Sequence, residues 1–169
     1  MAKRKPAKKS GKDGGRELLR HTVATLAYRA RKPLEGAPPH FSEFKASEKT
    51  RTPGQILAHL GDLIDWALTM ANGKKVWHDS SPLQWEQGVQ RFYAALKAFD
   101  DFLASNAALD CSPEQLLQGP IADAIWHVGQ LALLRRIAGT PIRGENYFQA
   151  EIKAGRVGRE QAAPRREFE

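Results

Sequence analysis

The chain has 169 residues, of which 41% are hydrophobic and 27% charged, a balance that suits one folded domain with its own core and excludes wholesale disorder. Its net charge of +7 is not in itself a nucleic-acid signature, because Lys3, Arg4, Lys5, Lys8, Lys9 and Lys12 all precede the first acid, Asp13. No stretch approaches the ~18 apolar residues of a membrane span, and no apolar run follows the basic start as it would in a secretory signal.

Residues 1–15 are rich in Lys, Gly and Ser without apolar periodicity, so a disordered basic tail is expected there. Any contact it makes with nucleic acid would be electrostatic and nonspecific. Cys111 is the single cysteine. That rules out an intrachain disulfide and a thiolate-rich metal site, and it favours a cytoplasmic setting.

Four helices are predicted in chain order, and no strands. The first covers Glu17 to Arg31, where Leu19, Val23, Leu26 and Ala30 recur at helical spacing. A long connection follows through Pro33, Pro38 and Pro39 to Thr50. The second helix opens at Thr52-Pro53-Gly54-Gln55, a capping-box signature with proline in the first turn. Ile56, Leu60, Leu63, Ala67 and Met70 form its apolar stripe, and Asn72-Gly73 ends it. The third is predicted from Ser81-Pro82 to Asn106, on the spacing of Trp85, Val89, Phe92, Leu96, Phe99 and Leu103. A second cap signal at Ser112-Pro113-Glu114-Gln115 gives a turn or two before Gly119-Pro120 interrupts. The fourth helix then runs from Pro120 to Ala138, stopped by Gly139 and Pro141.

This pattern predicts an all-α fold, a four-helix bundle over residues 16–140 with a long crossover between helices 1 and 2. Residues 141–169 are expected to form an arm packed on the bundle, with a polar end.

Two histidines and a carboxylate carry the functional expectation. Asp123 and His127 stand four apart on the fourth helix and can address one point. His59 lies beside the Ile56–Leu63 stripe of the second helix. Two imidazoles and a carboxylate from two helices are a ligand set for a divalent metal with open positions. The expectation places Asp123 inside the bundle, where an ion would offset the cost of burying its charge. Gln130 and Asp62 share faces with these ligands and are candidates to hold an imidazole N–H. Opposite that sector, Ile121, Ile125, Val128 and Ala132 form a second apolar stripe that needs cover, from a partner copy or from the Tyr147–Ile152 arm. His21, His40 and His78 are read as ordinary, and Trp66, Trp85, Trp126 and Phe92 as packing residues.

His59 on the second helix, with Asp123-xxx-His127-x-Gly-Gln-Leu and Leu134-Arg-Arg136 on the fourth, resembles the DinB/YfiT-like superfamily of metal-dependent helical bundles. The resemblance spans roughly Glu17 to Pro141. It implies a metal site of His59, Asp123 and His127, holding Zn, Ni, Fe or Mn. Many members carry histidine at the position of Asp123, and those resembling thiol-dependent maleylpyruvate isomerases carry glutamate there. The resemblance further implies hydrolase or thiol-dependent transferase or isomerase chemistry on a small molecule, in some relatives with a low-molecular-weight thiol, and pairing as a homodimer. The alternative is a non-enzymatic, stress-related bundle whose site is empty or degenerate.

Overall fold

The computed structural model describes residues 11–169 and is mostly helical. Residues 1–10, most of the expected basic tail, lie outside the described part. The remaining tail residues, 11–15, do not stay irregular: α1 spans Gly11–Leu34 and exceeds the sequence expectation at both ends. The expected stripe, Leu19, Val23, Leu26 and Ala30, is buried, and Leu34 joins it.

α2 is Pro53–Ala71 and begins with the capping box read from the sequence: the Thr52 hydroxyl accepts from Gln55 N, and the Gln55 side chain accepts from Thr52 N. Leu57, Gly61 and Ile64 are buried alongside the expected stripe, so two faces of α2 are covered rather than one. α2 packs against both α3 and α5, which accounts for this.

α3 is Trp85–Ala104 and starts later than Ser81-Pro82 suggested. The cap position falls at Gln84, with no side-chain cap, and the segment before it is tied to α2 through Ser80, whose N–H and hydroxyl both donate to Asp62. Gly119-Pro120 does not break the chain's last long helix either. α4 (Pro113–Leu116), capped by Ser112 and Gln115, passes through a π-helical turn over Leu117–Ile121 into α5 (Ala122–Ile137). A wider turn accommodates a proline that has no N–H to donate. Gly139, at φ 76°, ends α5. Its N–H donates to Arg136 O and that of Thr140 to Arg135 O, the paired bonds of a Schellman stop.

α1 and α2 each pack against α3 and α5, and the Leu34-to-Pro53 connection crosses one end of the core. Phe41 pins that connection, buried edge-on against Trp85 at 5.4 Å between centroids. Arg135 locks the end of α1 to the end of α5. Its buried guanidinium donates to the carbonyls of Pro33, Glu35 and Gly36, while its Nε donates to the Thr140 hydroxyl. A cation placed on the last carbonyls of a helix also complements its dipole.

After α5 the chain folds back along α1. β1 (Gly144–Glu145) pairs antiparallel with β2 (Glu167–Phe168), two short strands that carry no alternation for sequence reasoning to detect. Val157 enters the core, and Glu145, buried, accepts from the Tyr28 hydroxyl and pairs with Lys32 at 2.9 Å. Among the described residues no helix is long and apolar enough to cross a membrane.

The second stripe of the last helix is corrected by this packing. Ile121 and Val128 belong to the main core, and Ile125 packs against it. The chain's own helices cover them, so the stripe supplies no reason for a partner. The apolar residues α5 leaves exposed are instead Trp126, Leu133 and Ile137.

Candidate metal centre

α5 buries the face of Ala124, Val128 and Leu131, and this places the Asp123/His127 sector at the rim of the core rather than inside it. The Asp123 side chain is 45% exposed. Burial of an uncompensated carboxylate therefore supplies no argument for an ion here, contrary to the sequence expectation. His127 is buried, and His59, on α2, is half-buried.

The three side chains do converge. One ligand atom from each of His59, Asp123 and His127 lies within 4.8 Å of the other two. His59 Nε2 stands 3.6 Å from Asp123 Oδ2, and the two imidazole centroids are 4.7 Å apart. Ligands ~2.0–2.2 Å from a zinc-like ion stand roughly 3.5 Å from one another, so loading requires a contraction of about 1 Å, within reach of side-chain rotation. The donor set, two imidazole nitrogens and a carboxylate oxygen, suits a first-row divalent ion and leaves coordination positions open.

The tautomer of His127 follows from its neighbours. Its Nδ1 is 2.9 Å from the Asp123 carbonyl oxygen and 3.1 Å from Asp123 Oδ1, both of which can only accept, so Nδ1 carries the proton. Nε2 is left with its lone pair, the form a metal needs, and the helix backbone holds the ring in that form. The partner of that lone pair is Arg51, whose Nη1 lies 3.5 Å away. A guanidinium occupies the approach to the ligating nitrogen and must swing aside before an ion enters.

Burial lowers the pKa of His59, and the neighbouring His127 and Arg51 lower it further, against the opposing pull of Asp123. His59 is thus held neutral and ready to ligate at neutral pH. The consequence for stability has a definite sign. The unfolded chain takes up a proton at His59 more readily than the folded one, so stability is lost as pH falls below the ordinary imidazole value of 6.5. Urea unfolding of the metal-free protein between about pH 7.5 and 5 is expected to show that loss, and His59→Gln to flatten it.

Of the two supporting residues expected, neither hydrogen-bonds an imidazole. Asp62 is buried and fully engaged: it accepts from Ser80 and from Arg91 Nη2 at 2.6 Å. Burial works against its charge, but the Ser80 N–H, the Arg91 guanidinium and the Ser80 hydroxyl outweigh it and hold the carboxyl below its ordinary value. Its role is to tether the residue 80 segment and α3 to α2. Gln130 instead lines a cleft next to His127. His21, His40 and His78 are exposed and belong to no ligand cluster among the described residues. Burial and the nearby Asp110 push the Cys111 thiol up, away from reactivity.

Comparison with family models, with curated proteins and with solved structures gave no match. The chemistry available to the site is set by its own geometry.

Two residues of that geometry escaped sequence reasoning. Trp77 covers His59 edge-on at 5.6 Å between centroids and touches Trp66 in the same manner, walling one side of the centre. Arg51 borders both clefts that open beside it. One is a polar cleft of about 270 Å³ with Gln55, His59 and Ser81. The other, about 590 Å³, runs past His127 between Ile56 and Leu134. Both residues lie in connections, where no periodicity marks a functional side chain.

Proposed function

We propose that this chain is a DinB/YfiT-like four-helix bundle in which His59, Asp123 and His127 hold one divalent metal ion and act on a small molecule. The convergence of three donors from two helices within 4.8 Å supports this reading most directly. A divalent ion in such a site supplies a water or thiol of lowered pKa, a nucleophile near neutral pH. The chain's own contribution is to keep His127 in the ligating tautomer, to keep His59 uncharged, and to shield one side of the centre with Trp77. Hydrolysis, or transfer or isomerisation with a low-molecular-weight thiol, are the reaction classes that fit.

A second reading, a non-enzymatic bundle without a working metal site, is favoured by one observation: the Arg51 guanidinium stands on the His127 lone pair. Metal titration separates the two. The protein, stripped of metal and titrated with Zn, Ni, Mn or anaerobic Fe(II), is expected to bind one ion per chain. Loaded protein is then expected to turn over activated esters or thiol adducts, and stripped protein is not. Failure of all four metals to bind at micromolar concentration would sink the enzymatic reading and leave the second.

A further inference from the structure

The larger cleft beside His127 has the make-up of a small-molecule site. Its volume of about 590 Å³ falls within the ~300–1,000 Å³ usual for such sites. Ile56, Leu133, Leu134 and Ile137 give it an apolar wall, and its polar groups besides His127 are Thr50, Arg51 and Gln130, with Arg51 beside His127. Leu133 and Ile137 are each 53% exposed, an unfavourable placement for large aliphatic side chains that a bound apolar group would relieve.

Arg51 is placed to read a charge at the head of that cleft. It immediately precedes the capped start of α2, so the Thr52–Gln55 box fixes its backbone. No carboxylate lies within ion-pair reach of its guanidinium among the described residues, and its one hydrogen-bond contact is the long one to His127 Nε2. Asp79 lines the polar cleft on its other side without pairing to it, and a planar fork of N–H donors with no ion-paired carboxylate matches a carboxylate in shape and charge. It is the single cationic side chain lining this cleft, which favours a monoanion over a dianionic phosphate.

We propose that the cleft binds a monocarboxylate with an apolar chain. The carboxylate sits on Arg51 and the chain lies along Ile56, Leu133, Leu134 and Ile137. Gln130 offers a neutral hydrogen bond between the two. This assignment of a substrate class rests on the metal-centre reading, since the ligand's polar end is then the end presented to His127. Binding of an anion also draws the guanidinium off the His127 lone pair, clearing the ligating nitrogen.

Calorimetric titration of the full chain, metal-stripped and zinc-loaded, with octanoate, 1-octanol, octyl phosphate and acetate tests this. Octanoate is expected to bind at one site per chain, at least about tenfold more tightly than octanol or acetate, because neither the charge nor the chain suffices alone. Arg51→Gln is expected to reduce octanoate to the affinity of octanol. Leu133→Asp, a second variant should the first fold poorly, is expected to weaken octanoate by a similar factor. Octanol binding as well as octanoate, octyl phosphate binding best, or an octanoate affinity indifferent to both substitutions would each overturn the proposal. Titration of the same samples with Zn, Ni, Mn and anaerobic Fe(II) reports separately on the metal centre. Selective octanoate binding by a protein that takes up none of Zn, Ni, Mn and Fe(II) would uphold the cleft and sink the metal reading alone.

Discussion

His127→Ala is expected to lower the affinity for a divalent ion by more than about a hundredfold, beyond the ~10–100-fold cost of losing an outer partner of a ligand. His127 is the one ligand that is buried, and its ring is the one fixed by the backbone, through the Asp123 carbonyl. Its removal leaves the Asp123 carboxylate, 45% exposed, and a single imidazole, a pair that cannot enclose an ion. The consequence is readable without any substrate. Zinc at about a hundred times its dissociation constant stabilises a protein by roughly 2.7 kcal/mol, which for a chain of this size is a rise in Tm of about 5–10 °C. The wild type is expected to show that rise and His127→Ala none. A shift of equal size in the variant would place the ion elsewhere. Asp123→Asn, which keeps size and loses charge, is expected to fall between the two.

Arg135→Ala is expected to destabilise the protein by about 3–5 kcal/mol, enough to lower Tm by roughly 10 °C. Arg135 is 6% exposed and its guanidinium spans two helix ends, satisfying the carbonyls of Pro33, Glu35 and Gly36 from the last turn of α5. It also lies over the Phe41 ring at 5.6 Å, so truncation empties a packed space as well. Alanine would leave several carbonyls of a partly buried helix end without donors. Arg135→Lys restores a charge but not the fork, and is expected to recover less than half of the loss. Thermal unfolding followed by circular dichroism checks both; a change below about 2 °C for the alanine variant would show that water replaces the guanidinium without cost. The effect extends to function, because Arg135 follows Leu134, a wall residue of the cleft, and anchors the helix that carries Asp123 and His127.

The same features show where sequence reasoning reaches and where it stops. The capping boxes at Thr52 and Ser112 were legible, since a cap is a contact between residues three apart. The glycine stop at Gly139 was legible for the same reason. The start of α3 was misplaced: the segment just before it is held to α2 by Asp62, which accepts from Ser80, a contact between distant residues that spacing along the chain does not show. Asp62 itself was read as a partner of histidine, but its nearest cation, Arg91, comes from α3 and could not be foreseen from spacing along α2.

By itself the sequence determined where the long helices lie, the caps at Thr52 and Ser112, the stop at Gly139 and the pairing of Asp123 with His127, because 3.6-residue periodicity and i,i+4 spacing are properties of one continuous segment. The tertiary structure alone decided how far each helix is rotated about its axis. That rotation put Ile121 and Val128 into the core and moved Asp123 to its rim. It also decided which connection arrives at the site, bringing Arg51 to His127 and Trp77 to His59. Both depend on side chains far apart in the chain competing for the same interior, and no local pattern encodes the outcome of that competition.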